Sequence, residues 1–363
     1  MTTYIDIDSH IFPKEALPAA ESVGYKEYTD EKGREFVTTP RKSLRNWGRR
    51  YYDLEERRAA FRDAGFDKQV LLCDQGFAPD FVPVETSTKL FQAYNNAVSK
   101  IQKGNDDFIG CGEVPHQDPT VAISEARRAI NDLGLKAIRV YGSWSGKNIE
   151  SEDWLPFFEA VNELDIPLLF HPHGIAGFGD VNPNILGRER LQELGYARAP
   201  SGERKPVWLH GGIPGFVLEA FVFISGLVLH GILKQYPNIK VCILESGASW
   251  APFLASRLDY LKQTMDVMRN ENPEFYGAWK PITTDPSEYI KKHFWFTLDH
   301  AGEITMPFLI RELGMGSRLV TQTDYPHPEG SLDVVRWIKQ MDISESDKDR
   351  ILGKNAAEVL GIN

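Results

Sequence analysis

The chain has 363 residues, 42% hydrophobic and 25% charged, which allows one large α/β barrel or two medium domains with a sizeable core. A formal charge of −10 argues against a nucleic-acid or acidic-membrane surface, since phosphate binding needs clustered lysine and arginine. Three widely spaced cysteines, Cys73, Cys111 and Cys242, lie in or beside apolar runs, which suits buried thiols better than a disulfide framework or a zinc knot.

The opening "MTTYIDIDSH" lacks the basic and apolar regions of a signal peptide, so a cytoplasmic protein is expected. Its strand-like run "YIDID" (4–8) leads to Asp8 and His10, whose spacing of two places both side chains on one side of a strand. Residues 13–52, rich in Gly, Pro and charge, interrupt the pattern before a helix-like segment at 53–64. Then follow "KQVLLC" (68–73), a helix over 86–103, "FIGCGEV" (108–114) and a helix over 120–132 that Thr120 is expected to cap. "KAIRVY" (136–141) precedes a helix over 154–164, with a cap expected in Ser151-Glu152-Asp153. "PLLFH" (167–171) ends in "HPHG", carrying His171 and His173, and a second irregular insertion spans 174–212. The apolar stretch 216–233 contains Glu219 and His230 and is followed by Lys and Pro, so it reads as a buried helix and not a membrane span. "KVCILE" (240–245) ends at Glu245 and precedes a helix over 250–268. "FWFT" (294–297), a helix over 304–314, "RLVTQT" (318–323) ending at Asp324, and a helix over 332–340 complete the alternation.

Eight strands alternating with helices predict a single (β/α)₈ TIM barrel over 1–363. The insertions are expected over its C-terminal face, and 344–362 as a C-terminal helical appendage. A doubly wound sheet is the competing architecture, but no G-x-G-x-x-G or Walker-type loop follows a strand. In a barrel, Asp8, His10, His171, His173, Glu245 and Asp324 converge on one face. Imidazoles and carboxylates from separate strands are the N and O ligands of a zinc- or manganese-type ion.

The runs "IDIDSH", "LLFHPHG", "YPNIKVCILESGASWAPFLASRLD" and "TQTDYPHPEG" resemble the amidohydrolase-related branch of the amidohydrolase superfamily, which includes the aminocarboxymuconate-semialdehyde decarboxylase-like enzymes. The resemblance covers nearly the whole chain. It implies a metal-dependent barrel with Asp8, His10, His171 and Asp324 as metal ligands, and a homodimer to which 216–231 would contribute. Asp8 stands where other members carry His, which adds negative charge and favours manganese or another harder ion over zinc. Glu245 replaces the His that the decarboxylases of the branch present after strand six, and "LHGG" at 209–212 is a similar string elsewhere. Lys136 lies at the wrong end of the fourth strand to bridge two metals, so one divalent ion is expected.

Hydrolysis of a small cyclic or aromatic carbonyl compound is the leading expectation: Asp324 takes a proton from the attacking water, and Glu245 or His173 gives one to the leaving group. The alternative is non-oxidative decarboxylation of an aromatic or unsaturated acid. A closed four-ligand structural site, or a ligand-binding module, is the non-enzymatic alternative. Arg45, Arg49, Arg50, Arg188 and Arg204 are candidate partners for an anionic substrate. Phe12, Trp47, Trp144 and Phe178 are candidate walls of an apolar pocket.

Overall fold

The computed structural model describes residues 2–38, 44–46, 48–74, 77, 82–144, 147–148, 151–172, 213–276, 282–298, 304–327 and 330–362. Eight parallel strands form one sheet in sequential order: β1 (Ile5–Ile11), β2 (Lys68–Cys73), β3 (Phe108–Gly112), β4 (Ala137–Val140), β5 (Pro167–Phe170), β6 (Lys240–Ile243), β7 (Phe294–Leu298) and β8 (Leu319–Thr321). A parallel bridge between Ser9 and Tyr325 brings the last strand back to the first. A helix follows each strand: α1 (Leu54–Ala64), α2 (Val84–Gly104), α3 (Pro119–Arg127), α4 (Leu155–Leu164), α5 (Ile213–Leu229), α6 (Ala251–Glu271), α7 (Met306–Arg311) and α8 (Val334–Gln340). This is the expected (β/α)₈ barrel.

Two apolar clusters account for its solidity. Inward-facing Ile5, Ile7, Val70, Leu72, Ile109, Cys111, Ala137, Leu169, Cys242, Trp295 and Val320 fill the barrel. Alternate residues such as Leu71, Ile138, Val140, Leu168 and Ile243 pack outward against the helices. The three cysteines are buried free thiols. The segment after α8 is more than an appendage. Ala356, Val359 and Leu360 join the inner cluster and plug the bottom of the barrel. Gly353 there approaches the start of β1 so closely that a Cβ would lie 1.8 Å from the Thr3 carbonyl oxygen.

Two caps differ from expectation. Asp118, not Thr120, caps α3, its carboxylate accepting from the amides of Thr120 and Val121. Ser151 makes no side-chain cap, and a 3₁₀ turn over Glu152–Trp154 leads into α4. In the first insertion, Lys26–Thr29, Glu35–Thr38 and Leu44–Asn46 form an antiparallel sheet. The second insertion, 174–212, lies outside the described residues, as do His173, Arg188, Arg204, Trp47 and Phe178. Among the described residues no helix is long and apolar enough to cross a membrane.

Candidate metal centre

The ends of β1 and β8 are fastened together before any ligand is considered. Pairing of β1 with β2 shifts register between Asp6 and Ser9. That irregularity changes the inward phase from Ile5 and Ile7 to Asp8 and His10. The Asp324 amide donates to the Asp8 carbonyl at 3.0 Å, and the His10 amide to the Tyr325 carbonyl at 2.6 Å. Buried Asp6 accepts from both the amide and the hydroxyl of Thr323, each at 2.8 Å. Burial pushes the Asp6 carboxyl up to about 8, although these bonds pull the other way. Gly330 closes the turn: a Cβ would lie 2.2 Å from the Thr323 carbonyl oxygen.

Glu245 and Asp324 both adopt left-handed backbone, with φ of 47° and 55°. Non-glycine residues rarely do so, and such strain gathers at functional sites. It turns both carboxylates inward just past β6 and β8. The Glu245 amide is held by the Gln322 side-chain oxygen at 3.1 Å.

The side chains meet in a tight cluster. His10 Nε2 lies 3.0 Å from Asp324 Oδ1 and 3.4 Å from both Asp8 Oδ1 and Glu245 Oε1. His171 Nε2 lies 3.0 Å from Glu245 Oε1 and 3.4 Å from His10 Nε2, while its Nδ1 faces the Pro172 carbonyl at 2.9 Å. Ligand atoms of Asp8, His10, His171 and Glu245 all lie within 4.8 Å of one another; so do those of His10, Glu245, Asp324 and His327.

These residues fit a divalent ion. Both Asp8 oxygens and Asp324 Oδ1 are buried without an aligned hydrogen bond. Leaving such groups unsatisfied is costly unless a cation takes them up. Burial, then the charges of Glu245 and Asp324, holds the Asp8 carboxyl well above the usual carboxylate range. Burial and the neighbouring His327 push His10 down to about 3, which keeps its ring neutral and able to ligate. Oxygen and imidazole donors suit manganese or zinc.

Of the residues singled out in the sequence, Asp8, His10, His171 and Glu245 lie in one group and His10, Glu245 and Asp324 in a second that shares His10 and Glu245 with it. Three substrate-contact expectations are corrected. Arg49 and Arg50 are exposed and pair with Asp53 and Glu56 on the surface, because both lie in the 3₁₀ turn Arg49–Tyr51 just before α1. Phe12 is fully buried and stacks on Phe77 at 3.6 Å, so it is core and not pocket wall. The side chains of Arg45 and Trp144 lie outside the described set.

The sequence reading missed His327 and Asp74. His327 Nδ1 lies 2.7 Å from Asp324 Oδ1, its Nε2 is hydrogen-bonded to Asp74 Oδ2 at 3.0 Å, and its ring stacks on His10. Burial disfavours its charged form, but Asp324 and Asp74 outweigh that and push its pKa well up. The available signal was the His three positions after Asp324 in "DYPH". Also missed was a buried ion pair inside the barrel, Arg139 Nε to Glu113 Oε1 at 2.7 Å.

A family model described as an amidohydrolase matches residues 5–362. The 2-amino-3-carboxymuconate-6-semialdehyde decarboxylase of Dictyostelium discoideum is 26% identical, over 99% of this chain and 92% of its own length. The gamma-resorcylate decarboxylase of Polaromonas sp. is 24% identical over 86% and 89%. Among solved structures, the 5-carboxyvanillate decarboxylase of Novosphingobium aromaticivorans, complexed with manganese and 4-hydroxy-3-methoxy-5-nitrobenzoic acid, superposes with a TM-score of 0.75. It is 24% identical, and the match covers 99% of this chain and 96% of that one.

Proposed function

This chain belongs to the amidohydrolase family, and from that premise we propose that it is a metal-dependent non-oxidative decarboxylase of a small aromatic or unsaturated acid. The observation that carries this is a pairing: a buried cluster in which Asp8, His10 and His171 group with Glu245, and His10 and Glu245 group with Asp324, in a chain similar over nearly its full length to decarboxylases of such acids. Decarboxylation thereby takes the place of the hydrolysis expected first from the sequence. Asp8, His10, His171 and Asp324 would hold one manganese or zinc ion, which supplies Lewis acidity and a grip on the substrate carboxylate and a neighbouring oxygen.

The chain's own residues do the rest. Glu245 reaches the cluster from β6, where its Oε1 lies beside His171 and His10. It delivers a proton to the carbon that bears the carboxylate. The carbon–carbon bond then breaks, its electron pair returns to the unsaturated system, and carbon dioxide leaves. One proton enters and no water is added. Asp324, facing His10 and His327, orients the ligand set and relays a proton from solvent back to Glu245. His173 is a further candidate donor from the stretch beyond His171. A homodimer belongs to the same proposal, with exposed Leu218 of α5 and Phe253 of α6 as candidate contacts; light scattering at micromolar concentration tests it.

The test of function is turnover of a panel comprising gamma-resorcylate, 5-carboxyvanillate and aminocarboxymuconate semialdehyde by manganese-loaded protein. Carbon dioxide evolved in equal amount to a product shorter by one carboxyl group is expected with at least one of them. A product that retains its carboxylate and has gained water would return the assignment to hydrolysis.

A further inference from the structure

The conformation of Asp324 needs an explanation that Asp324 itself does not provide. The last torsion of an aspartate is broad and nearly two-fold, so its carboxylate plane is poorly fixed by its own rotamer. Oδ1 carries no aligned hydrogen bond, yet it is the oxygen that faces His10 Nε2 at 3.0 Å. The backbone beneath it is in the left-handed region. Something outside the residue has to hold it.

His327 is placed to do so. Its ring stacks on His10 with centroids 4.2 Å apart and planes inclined by 21°, and its Nδ1 touches Asp324 Oδ1. Asp74, just past β2, takes the hydrogen bond at Nε2. The end of β2 is itself braced, since Arg139 Nη1 donates to the Cys73 carbonyl at 2.6 Å. His327 therefore cannot turn from Asp324 without losing both the stack and the Asp74 bond. With one nitrogen taken by Asp74 and the other against Asp324, His327 serves as a holder of the ligand set and not as a ligand of a second ion.

We propose that Asp74 and His327 are a positioning pair for Asp324: Asp74 fixes the imidazole, and the imidazole keeps Asp324 Oδ1 turned toward the position shared with Asp8, His10 and His171. This rests on Asp324 being a metal ligand. The effect follows a general pattern in which partners behind a ligand tune affinity by about 10–100-fold.

The experiment measures the Mn²⁺ dissociation constant and stoichiometry of the full chain by competition with a chelator. The variants are Asp74→Ala, His327→Phe, their double mutant and Asp324→Asn. His327→Phe retains an aromatic ring against His10 and removes only the nitrogens. Each of the first two is expected to weaken binding about 10–100-fold. The double variant is expected to be no weaker than the worse single, because the two residues act as one unit. Stoichiometry stays at one throughout. Should Asp74→Ala not fold, Asp74→Asn, which still accepts the hydrogen bond, is expected to weaken binding less than His327→Phe. Unchanged affinity in His327→Phe, singles that multiply in the double variant, or a loss of one of two bound ions would overturn the pairing. Unchanged affinity in Asp324→Asn would instead remove the ligand assignment beneath it.

Discussion

The proposal gives Asp324 two tasks, and its substitution separates them. Asp324→Asn keeps an amide oxygen that can coordinate weakly but cannot take a proton, so kcat should fall about 10²–10⁴-fold, further than metal occupancy falls. Recovery of near-normal kcat once metal is restored would contradict the proton role. Glu245→Gln should depress kcat with little change in metal content; unchanged kinetics with a lower Tm would reduce Glu245 to a structural residue. A third residue reports through pH. Burial, with the nearby Arg139 charge, pushes His116 down to about 3 from its ordinary 6.5. The unfolded chain then binds the extra proton between those values, so the stability gained from neutral His116 is present above 6.5 and is lost as pH falls toward 3. Between pH 7 and 5 the wild type should lose about 2 kcal/mol more than His116→Gln in denaturant unfolding. Equal losses would show that the ring is not held neutral. The proposed ligand residues were legible as candidates in the sequence because each closes an apolar run and the runs alternate with helices. His327 and Asp74 were not, since their roles depend on a contact between residues 253 positions apart.

The strands were legible as elements and blurred at their ends. "KQVLLC" coincides with β2, whereas "KVCILE" overruns β6 by two residues because Glu245 leaves the extended conformation. That departure is the useful part, since it aims the carboxylate inward. The shift of phase in β1 is invisible to spacing alone, which gives the right side for Asp8 and His10 without the irregularity that puts them there. The β8 turn makes a sharper test. Gly330→Ala drives a methyl group into the Thr323 carbonyl, a rigid backbone atom, so the turn must open. A loss of about 1–3 kcal/mol is expected, together with weaker Mn²⁺ binding, since Asp324 moves with the turn. Full stability in Gly330→Ala, checked by thermal melting, would mean that the turn yields easily and does not position the site.

At the scale of the molecule, the proposed ligand set would have one ion couple the first strand to the fifth and the last. Removing it should leave three mutually repelling carboxylates, Asp8, Glu245 and Asp324, in a buried pocket. Dialysis against a chelator should abolish turnover and lower Tm, and Mn²⁺ at about 100 times its dissociation constant should restore about 2.7 kcal/mol of stability. A Tm insensitive to both treatments would place the ion elsewhere or nowhere. The barrel itself was the most legible feature of the chain, because eight apolar runs alternating with helical segments leave few other arrangements. The chemistry was less so: hydrolysis and decarboxylation can be run by the same ligands, and the Glu245 replacement drew attention to hydrolysis. The deciding measurement is isotopic. Manganese-loaded protein is incubated with a decarboxylatable aromatic acid from the panel in D₂O enriched in ¹⁸O, and the product is read by mass spectrometry. Decarboxylation places one deuterium on the carbon that bore the carboxylate, releases carbon dioxide, and leaves the organic product free of ¹⁸O. An organic product that carries ¹⁸O and still holds its carboxylate would contradict it.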